Sequence, residues 1–232
     1  MSTLLPCYLI ILLLFGCQSG DGASDGPPTT ASEVLDRAIA HHDPGNNWST
    51  FDAAFLLNSD TIVIDLPERY FAQAGGGKYF VADRDVCRST DLGDVSPPLA
   101  SDSCANVVRK RDYHTYLNGL PMKLRDPGTP LEDDFVTTEF HGTEYLRLRV
   151  NYPKSGGTVE TWEFFFDPAT YALGAYQFYR SDNPQGGEYL LLDGEIEIGG
   201  VRMVETKEWY LRENDKLLGR DVVGGEVVGV RY

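Results

Sequence analysis

His41, His42 and Asp43 are the residues of this 232-residue chain whose types and spacing come nearest to chemistry. Two imidazoles and a carboxylate are the ingredients of a metal site, or of a general base with its orienting acid. Their spacing argues the other way. Neighbouring residues on a helix project about 100° apart and converge poorly on one ion. Histidines in the last turn of a helix are also favoured simply by its dipole. His114 falls inside a second helical stretch and His141 at a strand end, neither with a partner at motif spacing. A hydrolase would need His41, His42 or His114 to meet a carboxylate delivered by the fold. The sequence holds no Gly-x-Ser-x-Gly elbow, phosphate-binding loop, His-Glu-x-x-His or dinucleotide glycine run. Gly75-Gly76-Gly77 and Gly224-Gly225 precede no helix and read as turns. The acidic residues are scattered among strands, and no carboxylate pair for glycoside hydrolysis stands out. No catalytic residue, metal or cofactor is expected.

The cysteines point to an exported chain. Residues 4–15 form an apolar run too short to span a bilayer and of the length of a signal-peptide core. It leads into Leu14-Phe15-Gly16-Cys17, which resembles a bacterial lipobox, the motif that places a diacylglyceryl group on the cysteine. Residues 1–16 are then the signal peptide, although they lack the Lys or Arg of the usual n-region. Residues 17–30, rich in Gly, Ser, Asp, Pro and Thr, bury too little to fold and suit a tether. In the lipoprotein pattern Gln18, rather than Asp, favours the outer membrane, on its periplasmic or outer face. Cys7 leaves with the signal and Cys17 takes the lipid. Cys87 and Cys104 remain, and in an oxidising compartment are most simply a disulfide closing one loop. Two free thiols or a metal site is the alternative, though no Cys-x-x-Cys or Cys-His pair lies nearby.

Composition sets the partners. Twenty basic against 35 acidic residues leave a net charge of −15, spread along the chain. Phosphate backbones need clustered Lys and Arg, so nucleic acid is excluded. The single basic cluster, Arg109-Lys110-Arg111, reads as a solvated helix face, with lipid head groups as its other use.

The element that organises the rest is the aromatic stretch at residues 160–180, read as a β-hairpin turning at Asp167-Pro168. Trp162, Phe164 and Phe166 share one face of its first strand, and Gly174, Tyr176 and Phe178 one face of the return. Each buried aromatic contributes about 2 kcal/mol, which places this hairpin in mid-sheet. Around it the periodicity predicts a helix from Ser32 to His42 behind a capping box at Thr30, and hairpins across residues 58–60 and 75–77. Residues 83–103 read as a long loop, residues 105–117 as a second helix stopping at Asn118-Gly119, and residues 119–128 as a return into strands. From Phe135 the pattern is β to the end. The sum is a mainly β, α+β domain over residues 31–232: a curved antiparallel sheet or incomplete barrel of about ten strands with two short helices on its concave side.

Two stretches carry a resemblance. Residues 116–129, Tyr-Leu-Asn-Gly-Leu-Pro-Met-Lys-Leu-Arg-Asp-Pro-Gly-Thr, together with the Phe166-Asp167-Pro168 to Phe178 hairpin and the lipobox–tether–helix plan, resemble an uncharacterised family of Bacteroidota lipoproteins. The likeness covers nearly all of the mature chain. In architecture that family is similar to the lipoprotein-localisation carriers of the LolA/LolB type, an incomplete β-barrel whose helices close a concave, acyl-binding side. The resemblance brings no catalytic residue, and fold alone does not give function.

The reading that results is a membrane-anchored protein, held through Cys17, binding a lipid or other apolar ligand between its aromatic face and its helices. Trp162, Phe164, Phe166, Tyr176, Phe178, Tyr116 and Met122 are the expected ligand-binding residues. The alternative is an interaction or structural lipoprotein with a filled core, whose acidic rim meets a protein or glycan. A hydrolase with a spatially assembled His–carboxylate site comes third.

Overall fold

The computed structural model describes residues 26–91 and 101–231. Residues 4–15, Cys17 and most of the tether lie outside them. Helix α1 (Ala31–His42) starts where the cap was expected: the Thr30 hydroxyl accepts the Glu33 amide at 3.2 Å. The Glu33 carboxylate reaches one residue further back than a capping box requires, to the amide and hydroxyl of Thr29. Burying Ala31, Val34, Leu35, Ala38 and His42, α1 presents one continuous apolar stripe.

The strands are β1 (Asp52–Leu57), β2 (Asp60–Asp65), β3 (Tyr70–Gly75), β4 (Lys78–Asp83) and β5 (Val86–Asp91), then, after helix α2 (Ser101–Asn118), β6 (Val136–Phe140), β7 (Thr143–Pro153), β8 (Val159–Phe166), β9 (Leu173–Arg180), β10 (Asn183–Ile198), β11 (Val201–Leu211) and β12 (Leu217–Glu226). All twelve form one sheet in the order β5-β4-β3-β2-β1-β12-β11-β10-β9-β8-β7-β6. Pairing of β1 with β12 fuses the two meanders, leaving β5 and β6 as the edges. A flat sheet of this size would be about 53 Å wide at 4.8 Å per strand, whereas α1 is only about 18 Å long. Yet Ile39 of α1 packs against both of the large core clusters, one built on β7–β10 and one on β1–β4. The sheet must therefore bend around the helices, and its helix-facing side is concave.

Two rows of side chains cross that concave wall. Leu148, Phe164, Tyr176, Leu190 and Trp209 stand opposite one another from β7 to β11. Val150, Trp162, Phe178 and Glu188 form the neighbouring row. The hairpin between β8 and β9 turns as expected, with the Asp167 carboxylate accepting the amides of Ala169 and Thr170 at 2.9 and 2.7 Å. On the convex side Glu163 is buried beneath Arg149 and Gln177, whose nitrogens lie 2.7 and 2.6 Å from its oxygens.

Three readings need correction. The sheet has twelve strands among the described residues rather than about ten, and one of them lies in residues 83–103, which are not all loop: β5 pairs with β4 across the two-residue turn Arg84-Asp85. Arg84 adopts φ 51°, a left-handed conformation that an Arg does not advertise in sequence as Asn-Gly would. Helix α2 begins at Ser101, within the same stretch, and a disulfide joins Cys87 on β5 to Cys104 on α2. Finally, residues 119–128 form no strand; Met122–Arg125 is a turn of 3-10 helix.

Candidate functional site: the seam between α2 and the concave wall

Most of the concave wall is sealed. Phe164, Phe166, Leu148 and Leu190 have no exposed surface, under α1 and the Leu117–Leu124 segment. The neighbouring row is dry at Val150 and opens beyond it. Trp162 and Phe178, stacked at 4.5 Å, stay half-buried, as do Tyr116, 5.6 Å from Trp162, and Trp209. Tyr113 of α2 stacks on Trp209 at 6.5 Å and is 47% exposed. Beside these aromatics, a hollow of about 340 Å³ is lined by Tyr116, Lys123, Asp126, Gly128 and Tyr152, so residues of the 116–129 stretch form much of its wall. A second hollow, about 300 Å³, opens beside Tyr113, His114 and Asp221.

A polar cluster adjoins the second hollow, whose wall includes His114 and Asp221. Lys207, next but one to Trp209 on β11, points inward and is 4% exposed. Its Nζ donates to Asn118 Oδ1 at 3.2 Å, and Asn118 in turn donates to the His114 carbonyl at 2.9 Å. Desolvation pushes the Lys207 ammonium down to about 8, with Asp221 opposing the shift. His114, packed on the Phe71 ring at 5.7 Å, is pushed down to about 4 by burial and by Lys110. Tyr176 is fully buried, its hydroxyl has no hydrogen-bond partner among the described residues, and burial raises its pKa well above the usual phenol range.

The expected ligand-binding residues separate into three groups. Phe164, Phe166 and Tyr176 are core; Trp162, Phe178 and Tyr116 border the seam; Met122 belongs to the other cluster, with Trp48 and Phe51. Lys207, Asn118, His114 and Asp221 were not singled out as a group by sequence reasoning. The signal was present in β11, where Lys207 occupies the parity of Met203 and Trp209, an inward position for a charge.

The histidine pair is a structural device. His42 Nδ1 lies 2.8 Å from the Arg202 carbonyl, so it must donate; Nε2 accepts the Leu173 amide at 3.0 Å. Both nitrogens are thereby occupied in one neutral tautomer, and burial lowers the pKa accordingly. His41 pairs with the partly exposed Glu195 at 2.7 Å, and Asp43 caps the following turn through the amides of Asn47 and Trp48. His41, His42 and Glu195 offer ligand atoms within 4.8 Å of one another, but the His42 atom nearest Glu195 is Nδ1, which carries the proton given to Arg202. The trio does not fit a metal ion, nor is His42 a free base.

A family model matches residues 9–224, nearly the whole chain. The chain belongs to DUF6503, a family of unknown function. No curated protein matches. Among solved structures, the LolA superfamily protein NE2245 from Nitrosomonas europaea is similar over 84% of this chain and 90% of its own, at 9% identity and a TM-score of 0.44.

Proposed function

We propose that this DUF6503 protein binds an apolar ligand, a lipid or acyl chain, in the seam between α2 and the concave wall. One observation carries the reading: Trp162, Phe178, Trp209, Tyr113 and Tyr116 stay partly open beside Leu148, Phe164, Tyr176 and Leu190, which are dry. Aromatic surface left partly wet beside a sealed core is what a binding groove offers its ligand. The lipobox at Cys17 supports an outer-membrane anchor, with the domain facing the periplasm or the exterior. Incubation with a dansyl-labelled undecanoic acid tests the reading. Saturable, blue-shifted emission supports it; emission unchanged from buffer overturns it.

A second reading, an interaction or structural lipoprotein with a filled core, draws on the complete burial of Phe164, Phe166 and Tyr176. It predicts a folded protein that leaves the dansyl probe in water.

A further inference from the structure

Lys207 has more hydrogen-bonding capacity than the described protein uses. An ammonium carries three N–H donors, and this one has a single neutral acceptor, Asn118 Oδ1. Asp221 stands directly opposite on β12, but its two oxygens accept from Asn58 Nδ2 and Trp209 Nε1, each at 3.0 Å, and no ion pair to Lys207 forms among the described residues. Tyr176 supplies a second unspent donor, a buried hydroxyl without a partner among the described residues. Its ring faces Leu190 across the β9–β10 pair, Leu190 faces Trp209, and Trp209 is two residues, about 7 Å, from Lys207 on the same face. Buried charges are ordinarily paired. Here two donors with spare capacity sit on one apolar wall beside half-open aromatics, and Asp221, opposite Lys207, lines the hollow it shares with Tyr113 and His114.

We infer that the ligand of this groove carries an anionic oxygen head, specifically the carboxylate of a single-chain fatty acid, held by Lys207 and Tyr176 with its chain along Trp209, Phe178 and Trp162. The inference rests on the apolar-ligand reading above and adds the head group to it. A carboxylate supplies the two or more acceptor positions that these donors lack, and charge-assisted bonds in a water-poor site are the strong ones. Double-chain lipids with neutral heads would leave Lys207 as it is.

The test compares dodecanoate with its methyl ester, equal in chain and different in charge, by isothermal titration on the full mature chain. The acid should bind roughly tenfold more tightly than the ester. Lys207→Met should bring dodecanoate down to the ester's level, and Tyr176→Phe should narrow the gap. Separately, the Lys207 side-chain NMR signals should titrate at higher pH once dodecanoate is added, a readout that needs no variant. Equal binding of acid and ester by the unaltered protein would overturn the carboxylate assignment and leave the groove standing. Binding of neither would overturn both. A preference for the acid that persists in Lys207→Met, with far-UV circular dichroism unchanged, would place the head elsewhere.

Discussion

Lys207 and Asp221 face each other on adjacent strands, yet the carboxylate is held by Asn58 and Trp209 while the ammonium turns to Asn118. An inward cation left with a neutral partner is a cost to folding, and proteins tolerate such costs where function needs them. That cost can be measured.

Lys207 has a folded pKa of about 8 against an ordinary 10.5. The unfolded chain therefore holds the proton more tightly, and the protein is destabilised by about 3 kcal/mol wherever both states are charged, below pH 8. Lys207→Met removes this and loses one hydrogen bond, for a net gain of about 2 kcal/mol at pH 7. Stability of the unaltered protein should rise between pH 8 and 10.5, closing the gap. Urea denaturation at pH 7 and pH 10 checks both the sign and the window.

Acid acts through His114 and His42. Both folded pKa values lie below the ordinary 6.5, that of His114 at about 4. The unfolded chain thus takes up protons first as pH falls, and stability present above pH 6.5 is lost toward pH 4. The His114 share is about 3 kcal/mol at most. His114→Leu, similar in volume and unable to titrate, should flatten this limb of the profile, and a fall of unchanged depth would remove His114 as its source.

Gly119 closes α2 against the ring of Trp48. A Cβ there would collide with that ring, with Lys123 and with the Thr115 carbonyl, which already accepts the Gly119 amide at 3.0 Å. Gly119→Ala should cost about 1–3 kcal/mol. It should also shift the 340 Å³ hollow, whose wall includes Lys123. Thermal melts of the two proteins decide it.

The Cys87–Cys104 disulfide ties the edge strand β5 to α2 and so fixes the helix that covers the seam. Its loss by Cys104→Ser should cost about 3 kcal/mol, as the entropy of a loop of this length implies. Chemical denaturation of the serine variant beside the oxidised protein is the check, and equal midpoints would mean that the bridge constrains nothing.

The parts of this fold that were legible in sequence are those with strong local signals. Asp167-Pro168 announced its turn, Thr30 its cap and Asn118-Gly119 the end of α2. Alternation placed Trp162, Phe164 and Phe166 on one face, where they are found. What was hidden depended on partners far away in the chain. Strand β5 looks polar until Ala82 pairs with Cys87. Residues 119–128 look extended until Trp48 packs against Gly119. The polar cluster draws Asn118 and His114 from α2, Lys207 from β11 and Asp221 from β12, and only the closing of β12 onto β11 and the bending of the sheet bring these together. Likewise, the histidine pair changed meaning once Arg202 and Leu173 were seen to occupy both nitrogens of His42.

An acyl chain in the seam would lie along the half-open aromatics. The chain has three tryptophans: Trp162 and Trp209 border the seam, while Trp48 is buried in the other cluster with Phe51 and Met122. Bromine quenches tryptophan on contact, so titration with 9,10-dibromostearate reports which rings the chain touches. Saturable quenching is expected in the unaltered protein, and its disappearance in a Trp162→Phe, Trp209→Phe variant, where Trp48 alone emits. No quenching in the unaltered protein, or undiminished quenching in the variant, would contradict it.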